Sequence, residues 1–212
     1  MNQESYRSTL AKAILAGILI GMGGIVYLKV ENKYLGGFLF SFGLFTIIKS
    51  GFALYTGKVG YIPEKKPVYV CEVLVTFIGN VIGTGITALL VRLSRIGTSV
   101  HENAVSAMST KMNDTIVSRF ILGIFCGLLM YLAVDGGKRN IKENNDVSFV
   151  FGTAVPVMIF IFCGFNHSVA DCFYMFAADA SVDGYLYILT VALGNAAGGM
   201  LIPLMKKLFD KT

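Results

Sequence analysis

One short segment of this chain combines a histidine and an acid within an apolar stretch. Residues 164–171 read Gly-Phe-Asn-His-Ser-Val-Ala-Asp, which includes His167 and Asp171. Ionisable side chains within membrane segments are costly and usually functional. Residues 51–57, Gly-Phe-Ala-Leu-Tyr-Thr-Gly, interrupt an earlier apolar stretch in a similar way. Two interrupted helices that face each other predict a pore.

The composition indicates what must position these two segments. Hydrophobic residues make up 55% of the 212 residues, charged residues only 15%, and the mean hydropathy of +0.68 is too apolar for a soluble domain. Six charge-free runs are present, most near the roughly 20 residues that cross a bilayer. The sequence therefore predicts one all-helical transmembrane domain over residues 1–212. Its six spans lie at about 8–28, 34–63, 68–92, 114–134, 147–179 and 184–207.

The basic residues predict the orientation of these spans. Eleven of the 18 Lys and Arg fall at the two ends and in the second and fourth connections: Arg7, Lys12, Lys58, Lys65, Lys66, Lys138, Arg139, Lys142, Lys206, Lys207 and Lys211. Five fall on the opposite side: Lys29, Lys33, Arg92, Arg95 and Lys111. The positive-inside rule then predicts a cell (inner) membrane protein with both termini cytoplasmic. The net charge of +5 is explained by topology, so no nucleic-acid partner is expected.

Cysteine and histidine suggest no cofactor. The four cysteines, Cys71, Cys126, Cys163 and Cys172, lie in or beside apolar runs without metal-binding spacing. They are expected to be small buried residues. We predict no metal, cofactor or disulfide.

An internal repeat organises the chain. Gly-Asn-x-x-Gly occurs at 79–83 and again at 194–198, an offset of 115 residues. Gly-Phe at 51–52 returns at 164–165, and Gly-x-x-x-Gly at 17–21 returns at 123–127. The small residues favour close helix packing, so Gly79, Asn80, Gly194 and Asn195 are predicted to pack helices.

Each half of the repeat contains three spans, which fixes its symmetry. An odd number of spans places the second half upside down relative to the first. The middle spans, the second and fifth, would be broken, and their free backbone must line a cavity because lipid cannot hydrogen-bond to it. The predicted fold is an inverted three-helix repeat of aquaporin-like architecture.

The two interrupted segments resemble the formate/nitrite transporter family of anion channels. Residues 54–57, Leu-Tyr-Thr-Gly, resemble the family's Leu-Phe-Thr-Gly loop, and residues 164–170 resemble its Gly-Phe-Glu-His-Ser-Val-Ala loop. Residues 12–24 are similar to the family's first helix and 194–199 to its last. The resemblance covers nearly the whole chain.

This resemblance implies a ring of five identical subunits in the lipid bilayer, each with its own path for a small anion. Thr56 and His167 would meet between apolar constrictions, beside Asn166. Lys12 and Lys111 would be vestibule lysines on the cytoplasmic and outer sides. The constrictions would be formed by Phe40, Leu44, Leu54, Tyr55 and Phe160.

Three positions depart from the family pattern. Asn166 replaces a glutamate before the histidine, Gly127 stands where several members carry asparagine, and Asp171 replaces an asparagine. These exchanges alter the polar network around His167 and bear on its charge and on substrate preference.

A weak acid suits such a path. An anion between apolar constrictions loses several kcal/mol of hydration, whereas the neutral acid loses far less. A central histidine could supply a proton or a hydrogen bond, so passage of the anion with a proton is expected. Formate ranks first, with nitrite, hydrosulfide and short carboxylates as alternatives. His167 could instead only cap the broken helix through backbone carbonyls.

Other functions make different demands on the sequence. A neutral-solute channel of the aquaporin class would show Asn-Pro-Ala at both loops, and neither loop has it. An enzyme would need a second acid, base or metal ligand beside His167, and only Asp171, four residues on, is available. A purely structural membrane protein would need none of these polar residues. We therefore expect a channel and no enzymatic activity.

Overall fold

The chain is helical throughout the part that the structure describes. This structure, a computed structural model, covers residues 3–209, so Lys211 lies outside it. The helices are α1 (Gln3–Lys29), α2 (Lys33–Lys49), α3 (Tyr55–Lys58) continued by a 3₁₀ helix (Val59–Glu64), α4 (Tyr69–Arg92), α5 (Gly97–Met112), α6 (Ile116–Lys142), α7 (Asp146–Phe162), α8 (Ser168–Ala177) and α9 (Val182–Phe209). No strand occurs among these residues. The predicted all-helical class is confirmed.

Four helices are long and apolar enough to cross a membrane: α1 from Ser5, α4, α6 and α9. They pack as two pairs, α1 with α4 and α6 with α9. Glycine permits the close approach, because a Cβ on Gly83 would overlap the carbonyl oxygen of Ile14, and one on Gly198 would overlap that of Ile124. The two contacts lie at matching places in the sequence repeat.

The segments around the two Gly-Phe motifs are divided. Helix α2 ends at Lys49 and α3 begins at Tyr55, while α7 ends at Phe162 and α8 begins at Ser168. With 17 residues each, α2 and α7 are about 25 Å long, shorter than the roughly 30 Å hydrocarbon layer. Neither helix is therefore long enough to cross this layer alone.

Both divided segments turn at a glycine with a left-handed backbone. The φ angles are +65° at Gly51 and +68° at Gly164, a conformation that glycine adopts without a Cβ penalty. The amide of Phe52 donates to the carbonyl of Ile47 at 2.9 Å, and the amide of Phe165 donates to that of Phe160 at 2.8 Å. These bonds are the six-to-one bonds of Schellman motifs. Both helices therefore end in the same way.

Polar side chains lie inside and large apolar ones outside. Thr56, Asn80, His167, Asp171 and Asn195 are all buried. Many large apolar side chains are exposed, among them Leu74, Ile78, Leu89, Leu90, Leu189 and Leu193. Exposed apolar surface on this scale is typical of contact with lipid or another subunit. The polar interior is therefore the place to seek a functional site.

Helix α5 was not predicted from the sequence. It packs against α8, and the side-chain Nδ2 of Asn103 donates to the backbone carbonyl of Leu28 at 2.9 Å. Its buried side chains, Val100, Ala104 and Met108, recur at a spacing of four residues, as on one face of a helix. This packing fixes Lys111 near the second divided segment.

Candidate functional site

The two divided segments meet at Thr56 and His167. The Oγ1 atom of Thr56 lies 3.1 Å from Nε2 of His167, and both residues are buried. Thr56 lies in the first turn of α3, and His167 directly precedes α8 as its N-cap. The two short helices therefore bring a hydroxyl and an imidazole from opposite halves of the sequence into hydrogen-bond contact.

The second ring nitrogen of His167 assigns the tautomer. The backbone N–H of Ala170 donates to Nδ1 at 3.1 Å, so Nδ1 acts as an acceptor. The neutral imidazole then carries its hydrogen on Nε2 and donates it to Thr56 Oγ1. A proton on Nδ1 would break the cap of α8. His167 thus caps the helix by accepting from an amide, not through backbone carbonyls, and also contacts Thr56.

Two asparagines hold the non-helical backbone in place. Nδ2 of Asn80 donates to the carbonyls of Ala13 at 2.8 Å and Ala53 at 2.9 Å, while its Oδ1 accepts from the amide of Tyr55 at 2.8 Å. The bonds to Ala53 and Tyr55 satisfy buried backbone groups in the break between α2 and α3 and at the start of α3.

Asn195 repeats this arrangement in the second half. Its Nδ2 donates to the carbonyls of Gly123 at 2.8 Å and Asn166 at 2.9 Å, and its Oδ1 accepts from the amide of Ser168 at 2.9 Å. The adjoining glycines lie at helix contacts, since a Cβ on Gly79 would meet Ala13 Cβ at 2.5 Å and one on Gly194 would overlap the carbonyl oxygen of Phe120. Asn80 and Asn195 therefore both join helices and fix the divided segments.

Replacing either asparagine by alanine is expected to destabilise the protein. Asn80→Ala or Asn195→Ala leaves buried backbone groups unpaired, at a cost of about 2 to 4 kcal/mol. Thr190→Ala on α9 is the matched control, because that half-buried hydroxyl donates to the carbonyl of Leu186 within its own helix. Thermal unfolding in detergent, followed by circular dichroism, should show a lower midpoint for both asparagine variants alone. A midpoint equal to the control's would contradict this role.

Aromatic rings pack against the histidine. Phe160 stacks on His167 with ring centroids 5.3 Å apart, and Phe40 meets Phe160 edge-on at 6.0 Å. Phe40, Phe160 and Leu44 are all buried. The structure thus places Phe40 and Phe160 beside the Thr56 and His167 pair.

Leu54 and Tyr55 point in different directions. Leu54 lines a cavity of about 130 Å³ together with Phe52, Lys58, Val134 and Lys138, which we call the Lys58 cavity. Tyr55 instead packs on Phe77 with centroids 4.8 Å apart, and its hydroxyl donates to the carbonyl of Ala192 at 2.9 Å. The structure therefore places only Leu54 at this cavity.

A second cavity approaches the pair from the other end of α6. It measures about 60 Å³ and is lined by residues that include Tyr27, Lys111, Phe160, Asp171 and Tyr174, and we call it the Lys111 cavity. Lys111 lies just before α6 begins, whereas Lys138 lies near its end. The two cavities therefore lie on opposite sides of the buried centre.

Lys111 is held by two neighbours from the second divided segment. Its Nζ donates to Asn166 Oδ1 at 2.8 Å and forms an ion pair with Asp171, whose Oδ1 lies at 3.1 Å. The hydroxyl of Tyr187 donates to Asp171 Oδ2 at 2.7 Å. Asp171 directs its carboxylate toward Lys111 and Tyr187, so it does not form an acid and base pair with the His167 ring. The charge of Lys111 is thereby compensated.

Lys12 is not brought to either cavity. Its backbone carbonyl accepts from the amide of Ala53 at 3.4 Å, so the residue lies beside the first divided segment. Its side chain is exposed. Lys58 and Lys138 are the lysines that line the cavity on this side.

Comparison with known proteins identifies the family of this chain. The sequence profile described as formate/nitrite transporter matches residues 2–208. The chain belongs to the formate/nitrite transporter family. The predicted family is thus confirmed, and because the formate/nitrite transporter family consists of transporters and channels, the protein is not an enzyme.

Relatives and a solved structure extend the comparison. The chain is 26% identical over 185 residues to the formate channel FocA of Escherichia coli (strain K12), covering 78% of this chain and 64% of that relative's length. It is 26% identical over 233 residues to a formate-nitrite transporter of Plasmodium malariae, covering 91% and 73%. A solved pentameric formate channel with formate bound has a TM-score of 0.81 at 23% identity, covering 100% and 99%. The fold of this chain is that of the solved formate channel.

Sequence reasoning missed two parts of this site. The ion pair of Lys111 with Asp171 joins residues 60 positions apart, and no local pattern reveals it. The hydrogen bonds of Asn80 and Asn195 to the divided segments could have been suspected from the sequence. Each asparagine is a polar residue within an apolar run, where it is costly without a partner, and the two occupy matching positions in the two halves.

Proposed function

We propose that this protein is a membrane channel for small monovalent weak-acid anions, which cross together with a proton at the Thr56 and His167 pair. The observation that carries the proposal is the buried contact of 3.1 Å between the two residues, flanked by two cavities. Formate ranks first because FocA of Escherichia coli is named a formate channel. Nitrite and hydrosulfide are further candidates.

We propose six membrane spans that form an inverted repeat. Helices α2 and α3 would together form the second span, and α7 and α8 the fifth. The matched Schellman turns and asparagine bonds support this architecture, because equivalent contacts recur in the two halves. The excess of basic residues at the ends of the chain supports cytoplasmic termini in a cell (inner) membrane.

The hydrogen bonds suggest what the pair does. If Nε2 of His167 donates to Thr56 Oγ1, the hydroxyl hydrogen of Thr56 is free to bond to a substrate oxygen. His167 would act as a neutral hydrogen-bond donor that orients Thr56, since charging Nδ1 would break the helix cap. The proton would then travel on the substrate, whose neutral form enters the apolar centre at much lower cost.

Lys111 would receive the anion without trapping it. A lone lysine in a small cavity would bind an anion tightly, whereas conduction requires that the ion also leave. Asp171 compensates this charge in the present structure, with one carboxylate oxygen 3.1 Å from Lys111 Nζ. We propose that Lys111 offers a hydrogen bond at the outer mouth, while Lys58 and Lys138 attract anions at the cytoplasmic mouth.

We propose a homo-oligomer, with five subunits in the bilayer. The solved structure of similar fold is a pentameric formate channel, and exposed apolar side chains on α4 and α9 provide surface for subunits and lipid. Native mass spectrometry in mild detergent tests the ring, and a stable monomer would refute it.

A swelling assay tests the transport proposal. Liposomes that contain the purified protein should swell rapidly in formate, nitrite or hydrosulfide and only slowly in glycerol. Thr190→Ala serves as a control variant on an exposed face of α9. Fast swelling in glycerol would favour the aquaporin-like alternative, and no swelling in any of these solutes would reject a channel for small solutes.

A further inference from the structure

A basic cavity beside the cytoplasmic mouth includes three cations, Lys65, Arg139 and Lys142, that have no role in the proposed transport step. It measures about 420 Å³ and is formed by the turn after α3, the start of α4 and the end of α6. Its cationic lining residues are Lys58, Lys65, Lys138, Arg139 and Lys142. The cations thus come from two parts of the chain, the segment from Lys58 to Lys65 and the end of α6, while α4 contributes Tyr69.

The lining side chains carry an excess of positive charge. Five are cationic and one, Asp135, is acidic, which leaves a formal charge of +4 among the lining residues. Arg139 pairs with Asp135 at 3.1 Å, and Lys58 pairs with Glu72, which lies behind the cavity wall. Lys65 and Lys142 are exposed and form no ion pair among residues 3–209. The cavity therefore has cationic groups available to an anion.

Two tyrosines connect the elements that form the wall of this cavity. The hydroxyl of Tyr61 donates to Asp135 at 3.1 Å, and the ring of Tyr61 lies 4.4 Å from Nζ of Lys138. The hydroxyl of Tyr69 donates to the backbone carbonyl of Lys58 at 3.2 Å. These contacts tie the turn after α3 to α4 and α6. Positive-inside topology alone would not require the cations to share one cavity.

Size and charge point to a ligand class. A cavity of about 420 Å³ is far larger than formate needs, and several cations together match a group that bears more than one negative charge. We propose that this cavity binds a phosphate-bearing anion, either a lipid headgroup or a soluble phosphate compound. Lys58 and Lys138 also line the Lys58 cavity, so the bound anion would lie at the rim of the channel mouth.

Direct binding to the full-length chain tests this site without relying on transport. Inorganic pyrophosphate is titrated calorimetrically into protein in an uncharged detergent, and short-chain phosphatidylglycerol is titrated in parallel, with phosphatidylcholine as the neutral lipid. The double variant Lys65→Gln with Lys142→Gln removes two cations that lie outside the Lys58 cavity. Lys206→Gln, an exposed lysine at the same end of the fold, is the matched control.

We expect one saturable site per subunit whose affinity falls by about tenfold or more in the double variant and stays unchanged in Lys206→Gln. Binding of pyrophosphate would identify a soluble phosphate compound as the source, and binding of phosphatidylglycerol alone would identify a lipid headgroup. Absence of saturable binding, or an equal loss in the control, would overturn the site. Protein that binds pyrophosphate but transports no formate would overturn only the proposed transport.

Discussion

Replacing His167 by asparagine is expected to lower formate flux by about tenfold to a hundredfold while the fold persists. The change removes the Nε2 donor that lies 3.1 Å from Thr56 Oγ1, and leaving a buried polar partner without its hydrogen bond costs about 1 to 3 kcal/mol. Asparagine is a good N-cap residue, so its side chain can still accept from the amide of Ala170. Uptake into liposomes at matched protein density measures the loss.

Two further variants separate the roles of His167. His167→Ala should lose the same flux and also lower the thermal midpoint, because the cap of α8 is removed as well. His101→Ala replaces the other histidine of the chain, whose ring bonds to the carbonyl of Ala177 and lies 3.9 Å from the carboxylate of Asp179, at the end of α8 opposite to His167. Its flux should equal that of the unaltered protein. Near-normal flux in His167→Asn at every pH would contradict a central role for the imidazole.

Removing one member of the Lys111 and Asp171 pair is expected to destabilise the protein strongly. Breaking a buried ion pair on one side costs about 3 to 5 kcal/mol, because the remaining charge is left uncompensated. Asp171 is buried and Lys111 is half-buried, with side-chain exposures of 2% and 19%. Lys111→Met and Asp171→Asn should therefore each lower the thermal midpoint in detergent.

The double variant distinguishes stability from transport. Lys111→Met combined with Asp171→Asn removes both charges and should recover most of the stability, yet its formate flux should stay low because the donor at the mouth is lost. Lys111→Arg retains the charge and should be milder. The flux deficit of the double variant should be largest at low salt and low substrate, where attraction of the anion matters most. Full recovery of flux would make the pair purely structural.

The sequence predicted those features that local chemistry determines. The two Gly-Phe motifs marked the turns where α2 and α7 end, since only glycine adopts the left-handed backbone at Gly51 and Gly164 without penalty. The resemblance to the formate/nitrite transporter family, carried by the motif after each turn, also implied that Thr56 and His167 would meet. Each residue follows a glycine that interrupts an apolar run. The non-helical backbone there is expected to face a cavity, because lipid cannot hydrogen-bond to it.

The features that the sequence left open depend on contacts between distant residues. Helix α5 contains few apolar residues, so its hydropathy did not distinguish it from a loop between two spans. Its buried residues, Val100, Ala104 and Met108, form one face of the helix. Asp171 was noted as an ionisable group near His167 and as a departure from the family pattern, but its ion pair was not predicted. Its partner, Lys111, became apparent once α5 and α8 were seen to pack together. Lys12 was placed at a vestibule by position alone, and its side chain does not line either cavity.

Simultaneous recording of formate flux and electric current tests the central proposal most directly. Between about pH 7 and pH 5, the neutral fraction of a carboxylic acid whose pKa is about 4 grows roughly tenfold per pH unit. If the substrate crosses the Thr56 and His167 site as the neutral acid, flux through a planar bilayer should rise steeply as the external pH falls. Protons should enter with formate and little current should flow. A large formate current with no proton movement at any pH in this range would contradict passage of the neutral acid.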